Sequence, residues 1–66
     1  MEIADRLRQI RNEKKLKQAD VANVLNTTQQ QYSKYENGAH EIPARHIITL
    51  CRLYNISSDW LLGLKD

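Results

Sequence analysis

The chain has 66 residues, a formal net charge of +2 and one cysteine. That length supports one small domain, 1–66, and leaves too little chain to enclose a substrate. Cys51 has no partner for a disulfide, which fits a reducing compartment, and the start is charged from Glu2 onward, unlike a secretory leader or a membrane span; a cytoplasmic protein is expected.

Residues 2–15 read as a first helix, with Ile3, Leu7 and Ile10 in a stripe at i, i+4 and i+7. Acids near its start and bases near its end suit the helix dipole. Arg6, Arg8, Arg11, Lys14, Lys15 and Lys17 crowd this end of the chain, with Glu13 the one acid among them. Such a run is either a solvated face or a source of phosphate attraction. Leu16 leads to a second helix that begins at Gln18. Lys17 before it is a poor cap, at a cost on the order of 1 kcal/mol, and a phosphate contact is the compensation expected of it. Val21, Ala22 and Leu25 share one face, and Asn26 can turn sharply in the left-handed region.

Thr28 starts a third helix. Thr28 and Gln31 match a T-x-x-Q capping box, in which the Thr side chain caps the Gln31 amide and the Gln side chain reaches back. Asn37-Gly38 ends the helix. At about 100° per residue, Tyr32 and Tyr35 face inward, the Tyr32 hydroxyl expected to reach the surface. Gln30, Ser33, Lys34 and Asn37 lie on the other side, with Gln29 at the exposed first turn. This face carries amides, a hydroxyl and a cation, but no acid. It suits the major groove of DNA, where Gln pairs bidentately with adenine and Lys approaches guanine or phosphate.

Residues 39–42 form a loop with His40 and Glu41 exposed, and Pro43 opens a fourth helix. Ile47, Leu50, Cys51 and Tyr54 line one side of it, Cys51 as a small core residue. Arg45, near its start, is a candidate phosphate contact. Asn55 ends it. Ser57 or Ser58 caps a fifth helix holding Trp60, Leu61 and Leu62. These three either seal the end of the bundle or join two copies of the chain.

The segment 18–38 resembles the helix-turn-helix of the lambda-repressor-like (Xre) family, and lambdoid phage repressors in particular. The residues that carry the likeness are Gln18, Ala22, Leu25, Thr27-Thr28-Gln29-Gln30, Tyr35 and Glu36-Asn37-Gly38. With the flanking helices it extends over about the whole chain. The resemblance implies an all-α, compact five-helix bundle with the helix-turn-helix at about 18–37, in a bacterial or phage protein. It implies an ion pair between Arg11 and Glu36, with Arg11 also near phosphate, and a phosphate contact from Gln18. It further implies a transcriptional regulator that binds double-stranded DNA as a homodimer, at least on DNA.

Gln29, Gln30, Ser33 and Lys34 are then the residues expected at base edges; Gln18, Lys17, Asn37, Arg45 and Arg11 those expected at phosphates. A protein-interaction module, such as an antitoxin with a protein partner, is the competing expectation. No Ser-His-Asp set, Gly-rich phosphate loop or paired-carboxylate cleft suggests an enzyme. His40, His46 and Cys51 fit no zinc spacing, and no metal, cofactor or membrane partner is expected.

Overall fold

The structure, a computed structural model, describes residues 2–65. It contains α1 (Ile3–Glu13), α2 (Gln18–Val24), α3 (Gln29–Glu36), α4 (Ala44–Tyr54) and α5 (Ser58–Leu61). This is the five-helix, lambda-repressor-like bundle expected from the sequence, with the helix-turn-helix at α2 and α3. Packing α1 and α2 against α3, and α1 and α4 against α5, brings the apolar stripes together. The core comprises Leu7 and Ile10 of α1, Val21, Ala22 and Leu25 around α2, Tyr32 and Tyr35 of α3, Leu50 and Tyr54 of α4, and Leu61 of α5.

Every helix runs into a left-handed residue: Lys15 (φ 59°), Asn26 (φ 56°), Gly38 (φ 79°), Asn55 (φ 55°) and Gly63 (φ 78°). After α1, the Leu16 amide donates to the Arg11 carbonyl at 3.1 Å and the Lys15 amide to that of Asn12 at 3.0 Å. These are the two bonds of a Schellman turn, which satisfies carbonyls left unpaired at a helix end. The same pair closes α2, from Thr27 to Ala22 and from Asn26 to Asn23, and α5, from Leu64 to Asp59 and from Gly63 to Trp60. Asn26 and Gly38 are legible as stop signals; Lys15 is not.

The helix starts correct several expectations. Thr28 Oγ1 accepts from the Gln31 amide at 3.0 Å, as a cap should, but the Gln31 side chain turns away and its Nε2 lies 3.2 Å from His40 Nδ1. The start of α2 is not left open by Lys17, because Asp20 Oδ2 accepts from the Lys17 amide at 2.9 Å. Pro43 sits at the cap of α4, one residue before its first turn, and Ser57 is the hydroxyl that caps α5.

Burial brings three more corrections. The Tyr32 hydroxyl does not reach the surface: the side chain is fully enclosed and its oxygen has no hydrogen-bond partner, like that of Tyr54. Burial first, and then the nearby Glu36 carboxylate, push the Tyr54 hydroxyl up to about 12 and raise that of Tyr32 as well. Leu61 is fully buried and offers nothing to a second copy, whereas Trp60 and Leu62 are half-buried. Arg6 does not belong to a solvated basic face. Its guanidinium lies 4.8 Å from the centre of the Trp60 ring and donates to the carbonyls of Trp60 (2.6 Å) and Lys65 (2.8 Å). Among the described residues no helix is long and apolar enough to cross a membrane.

Candidate nucleic-acid interface

The exposed side of α3 and the start of α2 enclose a shallow groove lined by Gln18, Gln29, Gln30, Ser33, Lys34 and Asn37. The local sequence explains the placement. Left-handed Asn26 folds α3 back against α2, and the Thr28 cap makes Gln29 and Gln30 the first two residues of α3. Tyr32 and Tyr35 anchor the opposite side of α3, their rings edge-to-face at 6.3 Å. The four residues expected at base edges therefore lie together. Gln29, Gln30 and Lys34 are exposed, and Ser33 is half-buried.

The one carboxylate of α3, Glu36, faces away from this groove into the bundle. It is 3% exposed and meets Arg11 in a two-pronged pair, Nε to Oε2 at 2.6 Å and the second guanidinium nitrogen to Oε1 at 3.0 Å. The third Arg11 nitrogen donates to the Leu16 carbonyl at 2.8 Å. The ion pair implied by the resemblance is present. Three of the five Arg11 N–H groups donate within the protein and the side chain is largely enclosed, so the phosphate contact suggested for Arg11 falls to the two that remain. Burial alone would raise the Glu36 carboxyl. Hydrogen bonds from Arg11 and Gln18, and the Arg11 charge, outweigh it and hold the group below its ordinary value.

Gln18 is tied to the same pair: its Nε2 donates to Glu36 Oε1 at 3.2 Å. One Nε2 proton and the amide oxygen remain for a partner in the groove. Asn37 is similarly half committed. Its Oδ1 accepts from the Ala39 amide at 2.9 Å, which leaves its NH2 group free to donate. Lys17 stands exposed beside Gln18, outside the groove lining. Arg45 is exposed at the start of α4 but is not brought to the groove either. The loop 39–42 is held to α3 by the His40 amide, which donates to the Lys34 carbonyl at 3.2 Å.

Sequence reasoning missed two residues that support α3 from behind. His46 is buried against the Tyr35 ring, at 6.0 Å between centroids, and burial first and the Arg45 charge second lower its basicity. Arg8 donates to the Glu36 carbonyl at 3.3 Å and pairs with Asp5 at 2.8 Å. No periodicity marks either role; only the packing of α1 and α4 around α3 reveals them.

A helix-turn-helix, five helices and an exposed α3 face free of acid define a recognisable class. The helix-turn-helix family model matches residues 7–61, and the chain belongs to that family. Regulators of this family bind DNA and are not catalysts. Over 61 residues the chain is 36% identical to the HTH-type transcriptional regulator YobD of Bacillus subtilis (strain 168), an alignment covering 92% of this chain and 54% of that protein. The chain thus spans about half the length of this curated relative. A transcriptional regulator from Listeria innocua superposes with a TM-score of 0.91 at 25% identity, over 98% of this chain and 61% of that one. The P22 c2 repressor, solved in complex with a synthetic operator, superposes with a TM-score of 0.87 at 22% identity, over 98% of both chains. This last likeness is one of fold.

Proposed function

We propose that the chain is a sequence-specific, double-stranded-DNA-binding domain of a transcriptional regulator, and that it represses by occupying a near-palindromic operator. α3 enters the major groove with Gln29, Gln30, Ser33 and Lys34 at base edges. Gln18, Lys17 and Asn37 hold phosphates on one side, and Arg45 reaches the backbone from α4. The observation that carries this reading is the groove itself: it gathers amides, a hydroxyl and an ammonium from two helices while the acid of α3 is turned inward.

Two copies bind half-sites about 34 Å apart, one turn of DNA. A single module of this size offers few contacts for tight specific binding, which favours pairing. Trp60 and Leu62 remain the candidate pairing residues, joined by the more exposed Leu64, and Leu61 is withdrawn.

The test is selection from random duplexes, followed by titration of the selected site. An inverted repeat with half-sites one turn apart is expected. Gln30→Ala should cost about 1–3 kcal/mol on that site and relax its sequence preference. Gln18→Ala should weaken binding to all sequences more evenly. Unchanged affinity and preference in Gln30→Ala would show that α3 is not the reading helix.

A further inference from the structure

Five asparagines occur in the chain, followed in turn by Glu13, Val24, Thr27, Gly38 and Ile56. Only Asn37 precedes a residue without a side chain. A peptide nitrogen can attack the side-chain carbonyl of the Asn before it, and the chief obstacle is the side chain on the nitrogen's own residue. Glycine removes that obstacle. Gly38 is exposed, and a Cβ placed on it would meet nothing within 4 Å, so there is room here for a ring to close.

Two hydrogen bonds bear on the reaction. The Ala39 amide donates to Asn37 Oδ1 at 2.9 Å, the oxygen on which negative charge develops as the carbonyl is attacked. The Gly38 N–H, whose proton must leave, is held by a long bond of 3.4 Å to the Tyr35 carbonyl. Ring closure turns the peptide after Asn37 away from its ψ of 2° and gives up that bond, so the folded chain reacts more slowly than the unfolded one. We propose that Asn37-Gly38 is a self-modifying site, at which deamidation places a carboxylate in the groove and ends DNA binding as the protein ages. The Gly38 nitrogen bonds to Asn37 Cγ, the side-chain nitrogen leaves as ammonia with the proton given up by Gly38, and a succinimide forms. Water then opens the ring at either carbonyl, leaving Asp or isoaspartate in place of Asn37. The Ala39 amide can still donate to an Asp there, so the turn survives. The NH2 donor in the groove, however, becomes a charged acceptor, where none of the lining residues was an acid before. The effect on DNA rests on the regulator reading above; the chemistry does not.

The test incubates the whole chain at mildly alkaline pH, beside a sample unfolded in denaturant that serves as the clock. Peptide mapping reads the mass gain of amide-to-acid exchange at each Asn, and titration of the selected operator reads the aged protein. In the folded chain, conversion should be confined to Asn37. The aged fraction should bind the operator at least about tenfold more weakly, since a like charge now meets phosphate. Asn37→Asp should reproduce that loss without incubation and melt within a few degrees of the native chain. Gly38→Asn, which keeps the left-handed turn at low cost, should block conversion of Asn37 and preserve affinity through the same incubation. The proposal is overturned if Asn37 keeps its amide while the unfolded sample converts, or if the aged fraction or Asn37→Asp binds the operator as the fresh chain does. A fresh chain that binds no duplex would sink the regulator reading and with it the proposed loss of binding, a result distinct from conversion at Asn37, which is read by mass.

Discussion

Glu36 is the residue on which the helix-turn-helix is cross-linked by charge. It ends α3, receives Arg11 from α1 and Gln18 from α2, and is almost fully buried. Removing one partner of such a pair leaves a buried charge without compensation, so Glu36→Gln should cost about 3–5 kcal/mol. Its carboxyl is held below the ordinary value of 4.5. As pH falls, the unfolded chain takes up this proton first. The stability from Glu36 is therefore complete above 4.5 and is lost as pH falls through the lower folded value. His46 acts earlier: its folded form resists protonation, so stability declines once pH drops below its ordinary 6.5. Thermal melts from neutral pH into acid should fall in two stages, the later one missing in Glu36→Gln. Melts that stay flat across the acid range would contradict this account of both groups.

Within the elements, the cap of α3 ties stability to the placement of the groove's amides. Thr28 fixes the first turn, and that turn carries Gln29 and Gln30. Thr28→Ala should cost about 1 kcal/mol and speed amide exchange at Gln31. Exchange there at the native rate would mean that α3 does not depend on this hydroxyl. The cap was legible in the sequence because Thr before a polar, Gln-rich turn is a local signal. So were the Val21, Ala22 and Leu25 face, the Asn26 turn and the Gly38 stop, each set by a few neighbouring residues. The contacts that stayed hidden lie across the chain. Arg6 sits in a run of cations that reads as solvated, and its turn inward depends on carbonyls 54 and 59 residues away. Leu61 and its two apolar neighbours looked alike in sequence; the short α5 assigns them unequal burial. Lys15 carries no turn signal, so its left-handed backbone emerged only from the structure.

The whole molecule is joined end to end through α1. Arg6 grips the carbonyls at the end of the described chain and lies over Trp60, while Leu7 and Ile10 on the same helix enter the core. Losing charge-assisted bonds and a cation–π contact together, Arg6→Ala should be destabilised by about 2–4 kcal/mol. Denaturant titration would measure it. A variant as stable as the native chain would show that α5 holds without the clamp. Operator affinity, read well below the unfolding midpoint, should stay native, because Arg6 lies far in role from the groove.

The left-handed residues after all five helices also bear on how the chain reaches this state. Each stop is made by hydrogen bonds among residues no more than six positions apart, so where each helix ends is fixed by its own neighbourhood in the chain. Domains dominated by such local contacts fold on the order of microseconds to milliseconds. The closure of α1 on α5 is the contact of longest range, joining residues 54 and 59 positions apart. Gln29, Gln30, Ser33 and Lys34 share one side of α3, so the order in which they would face a run of base pairs is set within that one helix.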